Sequence, residues 1–274
     1  MKINPPDFII DFFSEQLENW PMAKKNFASL AEIKRKDFQL GDFLGHIQFN
    51  PMRSQSTNAD VRKEAIKHRK CFLCKDHRPQ EQGSIYLRDN FELLVNPFPI
   101  FPYHCTIASF DHKPQEVNHQ VGLDLALMLP GMTVFFNDDG AGASAPDHSH
   151  YQAVPKEFLP LINYIENCDF PDSLPFYYIT GNIQKEISSS FGFPINSFYW
   201  IDDNGTLRYL IIPRKAHRPD CYFKSGEERI AVSPGAIDMA GVIITTFAED
   251  FAKISSKDIQ KIYSQVSLNP FINN

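Results

Sequence analysis

The chain has 274 residues, 43% of them hydrophobic and 22% charged, which is enough to bury a large core as one large domain or two smaller ones. Its formal net charge of −6 excludes a general electrostatic pull toward nucleic acid or an anionic membrane, both of which call for a basic surface. No apolar window approaches the roughly eighteen residues of a membrane span, and the start MKINPPDFIIDFF lacks the basic-then-apolar pattern of a signal peptide, so a cytoplasmic protein is expected. In chain order, residues 6–36 read as two helices broken near Trp20-Pro21, and LGHIQFNP (44–51) as a strand ended by Pro51. The polar run 53–70 reads as a loop or a short helix. IYLRDNFELLVNPFPI and YHCTIASF have the aromatic and β-branched content of paired strands, joined through the proline-rich turn at 97–102. Residues 115–129 predict a helix, 132–136 a strand and 148–154 another strand. Near the end, Ser255 stands three before Asp258 and predicts a capping box, with Ile259, Ile262, Tyr263 and Val266 on one helical face. The segments 103–114 and 208–219 align without a gap, each a strand-like run followed by His, a basic residue and Pro, as two copies of one unit would.

The chemistry concentrates in DDGAGASAPDHSHYQAVP, residues 138–155. A glycine-rich loop exposes backbone N–H groups and admits a bulky anion. If 148–154 is a strand, His148, His150 and Gln152 share one face, because side chains alternate along a strand. Phosphate beside imidazole points to phosphorus chemistry. Five cysteines in an intracellular chain are expected reduced, buried or metal-bound, and Cys71 and Cys74 form a C-x-x-C; a pair of buried small hydrophobes is the alternative for them. Basic candidates for phosphate are Arg53, Arg69, Lys70, Arg214, Lys215 and Arg218, of which Arg53 is preferred because Asn50-Pro51 fixes its turn beside a strand end.

HSHYQ resembles the H-x-H-x-Q signature of the histidine triad superfamily branch that holds galactose-1-phosphate uridylyltransferase, diadenosine tetraphosphate phosphorylase and the GDP-L-galactose phosphorylases. CFLC (71–74), SFDH (109–112) and NDDGAGAS (137–144) resemble that branch's zinc and phosphate-loop segments, and 233–268 resembles the closing segment of the GDP-L-galactose phosphorylases. The resemblance implies an α+β, histidine-triad-like fold of two related halves, each an antiparallel sheet with packed helices: 44–170 and 171–274, after an N-terminal helical segment at 1–43. It implies a nucleotidyltransferase or phosphorylase that acts on a nucleotide sugar, as in galactose metabolism, with phosphate or a sugar phosphate as second substrate. A dinucleoside polyphosphate phosphorylase and a non-catalytic nucleotide-binding protein are the alternatives; a homodimer is compatible with each. In that scheme His150 attacks phosphorus, and Gln152 donates to a phosphate oxygen but cannot serve as general acid or base. Asn137, Gly142 and Ser144 supply further donors. Cys71, Cys74, His112 and His148 would hold a structural zinc. Ser144 lies four positions before His148, one more than in the uridylyltransferase pattern, which leaves His77 as an alternative ligand. His104 is read as structural.

Overall fold

The computed structural model describes residues 4–54, 62–88, 90–167, 174, 179–182 and 192–268. Eleven strands appear among them: β1 (Lys34–Leu40), β2 (Phe43–Phe49), β3 (Ser84–Arg88), β4 (Phe91–Val95), β5 (Cys105–Ser109), β6 (Met132–Asn137), β7 (His150–Pro155), β8 (Ile179–Asn182), β9 (Ile195–Ile201), β10 (Leu207–Pro213) and β11 (Val242–Thr245). Eight form one sheet in the order β3-β4-β5-β7-β6-β9-β10-β8, and three form a second in the order β1-β2-β11. Every pair in the large sheet is antiparallel, whereas β11 runs parallel to β2. The two expected sheets are thus one, fused where β6 pairs with β9 from Val134↔Tyr199 to Asn137↔Asn196. The boundary at 170/171 lies outside the described residues, as do residues 55–61 of the polar run.

Both faces of the large sheet are covered, so its central strands are buried along nearly their whole length. Odd and even positions feed different cores. Val134, Phe136, Tyr151, Ala153 and Tyr199 face one cluster with Ile9, Phe12 and Phe13 of the first helix and Leu123 and Ala126 of helix His119–Met128. Phe135, Val154, Phe198 and Trp200 face the other, which includes Phe43, Ile47, Ile243 and the C-terminal Ile259, Ile262, Tyr263 and Val266. The second face also carries the site.

The N-terminal helices Asp7–Asn19 and Pro21–Ala28 break at Trp20 as expected, Pro21 supplying the first helical residue of the second. The segment 1–43, expected to be helical, then turns into β1. There Phe38 and Leu40 point inward while the charged residues face solvent. Helix 119–128 begins later than expected because the Asn118 side chain accepts from Val121 N and caps it. Ser255 and Asp258 form the expected capping box. His148 precedes β7, so the one-face argument holds for His150 and Gln152 alone; the His148 ring turns away from the cavity that these two line.

Candidate active site

The C-x-x-C segment closes a tight turn, with Cys74 N donating to Cys71 O at 3.3 Å. Across from it, Cys71 Sγ lies 3.3 Å and Cys74 Sγ 3.6 Å from His148 Nδ1, and Cys74 Sγ lies 3.2 Å from His112 Nδ1. All four donor atoms fall within 4.8 Å of one another. A tetrahedral zinc with bonds of about 2.0–2.3 Å needs ligand atoms spaced about 3.3–3.8 Å apart; the three sulfur–nitrogen distances lie close to that range and the donor types suit the ion. His148 Nε2 donates to Ser109 O at 2.7 Å, leaving Nδ1 as the lone-pair nitrogen that faces the sulfurs. Burial opposes ionisation of Cys71, but His148 when protonated and the backbone N–H groups of Leu73 and Cys74 favour the thiolate, so the thiol is lowered to about 6. His77 stands outside the cluster, its Nδ1 3.1 Å from Cys71 O. Arg69 pairs with Asp147 and lies over the Phe72 ring, which spends it on this loop rather than on a ligand.

His148 also reaches the second histidine. Its backbone carbonyl accepts from His150 Nδ1 at 2.8 Å, which fixes the tautomer with the lone pair on Nε2. The His150 ring is 4% exposed and lines the cavity. Burial pushes its pKa down to about 4, so the imidazole is neutral near pH 7. The backbone that carries it is held by a residue the sequence reading passed over. The β6–β7 ladder ends at Phe135↔Gln152, and beyond that point Gln115 stands between the diverging strands. Its Nε2 donates to His150 O and Asn137 O, each at 2.9 Å, and its Oε1 accepts from His150 N at 2.8 Å. One amide replaces the missing ladder bonds and lets the strands splay into a cavity.

Gln152 projects from the same face as His150, flanked by Thr106 and Phe135 in register. His104 Nδ1 accepts from Ile100 N at 3.2 Å, so its proton is on Nε2 and is donated to Gln152 Oε1 at 2.9 Å. Burial and the nearby Arg53 push His104 down to about 3, so it stays neutral. With its oxygen engaged, Gln152 offers its N–H groups to the cavity. His104 therefore orients a site residue.

Asn137 is similarly committed: Oδ1 accepts from Asn196 Nδ2 at 2.9 Å and from Ala236 N at 2.7 Å. The glycine loop packs so tightly on the C-terminal part that a Cβ on Gly142 would come within 2.5 Å of Gly235 Cα, and its φ of +100° favours glycine in any case. Arg214 locks this contact. It is 0% exposed and donates to the carbonyls of Ala141, Ala216, His217, Pro234 and Val266 and to Asn196 Oδ1, so it is not a phosphate contact. Arg53 donates from Nη1 to Phe98 O at 2.6 Å, and its buried Nε has no hydrogen-bond partner among the described residues.

These groups enclose a cavity of about 410 Å³. One stretch of wall is apolar, with Trp20, Met22, Phe72, Leu73, Leu94 and Phe98; Phe72 and Leu73 are the two residues between the cysteines. Arg53, Asn137, Gly142, Ser144, His150 and Gln152 all line it, while His112 and His148 do not.

The sequence model of a family described as a domain of unknown function, DUF4922, matches residues 12–155. A galactose-1-phosphate uridylyltransferase of Staphylococcus saprophyticus is 28% identical over 42% of this chain and 27% of that enzyme, so the chain spans about a quarter of the length of this relative. Among solved structures, yeast Ap4A phosphorylase Apa2 superposes with a TM-score of 0.59 at 13% identity, covering 90% of this chain and 96% of that one. Its complex with Ap4A gives a TM-score of 0.57, also at 13% identity, over 91% of this chain and 97% of that one. The fold is the α+β, histidine-triad-like fold of that structure.

Proposed function

The chain belongs to the DUF4922 family, and from that premise and the geometry of the cavity we propose that it is a nucleotidyltransferase or phosphorylase acting on a nucleotide sugar through a covalent nucleotidyl-histidine. The carrying observation is that His150 holds its Nδ1 proton against the His148 carbonyl and keeps Nε2 as the lone-pair nitrogen of a ring that lines the cavity. In the first half-reaction, Nε2 forms a bond to the α-phosphorus while the bond to the leaving sugar phosphate breaks, and that oxygen takes the electron pair. The ring becomes cationic, and the His148 carbonyl stabilises it through the Nδ1 proton. Gln152, Asn137, Arg53 and the loop at Gly142 and Ser144 meet the phosphate oxygens, where charge grows. In the second half-reaction a phosphate oxygen attacks phosphorus and the electron pair of the N–P bond returns to Nε2. The apolar wall suits the base.

Cys71, Cys74, His112 and His148 are assigned as the ligands of a structural zinc, on the strength of their donor types and spacing. The ion, when bound, supplies a fixed dication that ties the cysteine loop to the start of β7. The division into halves 44–170 and 171–274 after 1–43 is supported by the hairpins β4–β5 and β9–β10, since the aligned segments 103–114 and 208–219 contain β5 and most of β10. A cytoplasmic setting is supported by the free state of Cys71, Cys74, Cys105 and Cys221; among the described residues no helix is long and apolar enough to cross a membrane.

A dinucleoside polyphosphate is the second reading for the substrate. It is favoured by a match along 96% of the yeast phosphorylase chain, against 27% of the uridylyltransferase. One experiment tests both. Mixed with nucleotide sugars or dinucleoside polyphosphates without an acceptor, the protein should gain the mass of one nucleoside monophosphate in an acid-labile, base-stable bond. His150→Ala should abolish the adduct and keep the fold. An adduct on another residue, or wild-type turnover in His150→Ala, overturns the proposal.

A further inference from the structure

The apolar stretch of the cavity wall is built in part by the N-terminal helices, and it carries its own pair of polar groups. Pro21 pushes the residue before it out of helical geometry, so Trp20 takes φ −119° and ψ 93°, and it lines the cavity at the break between the two helices. Side chains suture this corner to the sheet: Gln16 Oε1 accepts from Gly83 N at 2.8 Å, and Asn26 Nδ2 donates to Pro97 O at 2.6 Å. The fit is close, since a Cβ on Gly83 would lie 2.7 Å from Gln16 Nε2. Trp20 is 2% exposed, and its indole N–H has no hydrogen-bond partner among the described residues, although a buried tryptophan usually finds one. Gln82, beside Gly83, lines the same cavity. Its Nε2 donates to Val95 O at 3.1 Å; a carbonyl only accepts, so the amide is oriented, and Oε1 is the end left without a partner among the described residues. Asn96 lines the cavity too but spends both ends inside the protein, Oδ1 on Phe98 N at 3.0 Å and Nδ2 on Thr106 Oγ1 at 3.1 Å. Among the described residues, the apolar wall therefore presents one donor, on Trp20, and one acceptor, on Gln82.

We propose that Trp20 and Gln82 read the base of the bound nucleotide and select adenine. Resting on the nucleotidyl-transfer reading, which leaves the base open, the pair decides which nucleoside is held while its phosphorus is exchanged. A base in an apolar slot has to match the donors and acceptors it meets there, because each buried polar group left without a partner costs binding. On its pairing edge adenine carries one amine and one ring acceptor: the N6 amine donates to Gln82 Oε1, and N1 accepts from the Trp20 N–H. Guanine brings a second donor on that edge, and cytosine and uracil a second acceptor, for which the described wall has no partner. The rest of the adenine edge is a C–H, which suits a wall of Phe72, Leu73, Leu94 and Phe98. The N-terminal helices thus belong to the site: they set which nucleotide is exchanged, while His150 sets how.

Binding alone tests this. AMP, GMP, CMP, UMP and purine riboside 5′-monophosphate, which lacks the N6 amine, are titrated calorimetrically into wild type, Gln82→Met and Trp20→Phe, with thermal melts to confirm folding. Wild type should bind AMP at least about tenfold more tightly than each of the others, as one matched hydrogen bond predicts. Gln82→Met should cost AMP about tenfold and leave purine riboside monophosphate within about twofold, because only AMP has the amine to lose. Trp20→Phe keeps an aromatic ring and removes the donor, so it should weaken AMP and purine riboside monophosphate alike, since both carry N1. GMP, CMP or UMP bound as tightly as AMP, an equal loss of AMP and purine riboside monophosphate in Gln82→Met, an unchanged AMP affinity in folded Trp20→Phe, or no AMP binding by wild type at millimolar concentration overturns the assignment. If Trp20→Phe fails to fold, the base series and Gln82→Met still decide. Protein adducts that form equally from nucleotides of every base leave the chemistry standing and remove the base reader; an AMP preference with no adduct from any substrate keeps the reader and removes the chemistry.

Discussion

Gln152 shows how much one side chain decides once its neighbours are fixed. Its oxygen is occupied by His104, so what it presents to a ligand is a donor with no pKa near neutrality. Replacing it with His puts a titratable nitrogen beside the nucleotidyl group, able to pass a proton to or from water. Gln152→His is therefore expected to shift the partition of the adduct from transfer toward hydrolysis, read as the ratio of free nucleoside monophosphate to transfer product. An unchanged ratio in a folded variant removes Gln152 from the mechanism. At this scale the sequence was informative about identity and silent about partners. His150 and Gln152 stand out as a motif, and the acceptor for the Nδ1 proton of His150 was inferable as a carbonyl. Gln115 carries no signal: it is one polar residue in a polar stretch, and its role exists only because two strands diverge around it.

At the scale of elements, Gln115 is a structural splice. Gln115→Leu leaves His150 N, His150 O and Asn137 O without their partner in a buried place, which should cost on the order of 3 kcal/mol in urea unfolding and slow adduct formation at least about tenfold. Gln115→Glu keeps the acceptor for His150 N and should fall between. A splice that tolerates Leu without loss of either quantity is not holding the nucleophile. The cysteine loop is the second element with a sharp expectation. Protein without an affinity tag should carry about one zinc per chain by elemental analysis. Cys71→Ser should lose it and unfold at lower temperature, and it should bind nucleoside monophosphate less tightly because Phe72 and Leu73 line the cavity between the two cysteines. β1 marks where pattern reading stopped short. KRKDFQL is mostly charge, and the alternation of Phe38 with Leu40 is too brief to outweigh it, although in a two-sided edge strand two inward positions suffice.

For the whole molecule, the site is a seam. Asn137 on β6 bonds Asn196 on β9 and the backbone at Ala236, and Arg214 gathers carbonyls from the glycine loop, the segment after β10 and the last helix. Gly142→Ala should wedge the loop from Gly235 and force an L-residue to φ near +100°, a cost of about 1–3 kcal/mol. Because the wedge opens the cavity wall, transfer should fall further than stability alone predicts; activity and thermal melting on one preparation compare the two. The α+β class and most strands were legible because buried strands advertise themselves as apolar runs. The fusion into one sheet was not, since nothing local in Val134–Asn137 names Asn196–Tyr199 as its partner.

The parallel pairing of β2 with β11 joins His46–Phe49 to Val242–Thr245, close to 200 residues apart in the chain. Such a contact sets a clock. During synthesis, β2 has its β1 partner at once, but the strand that completes its other edge emerges only close to 200 residues later. Until then Phe43 and Ile47 lack most of the C-terminal core residues that cover them, including Ile243, Ile259 and Val266. Contacts of this span slow folding, and at ribosomal speeds of about 5–20 residues per second the wait lasts roughly 10–40 s. The nascent chain thus carries an open apolar face until that strand emerges, and the stretch of cavity wall from His217 to Ile244 is made well after the strand that carries His150.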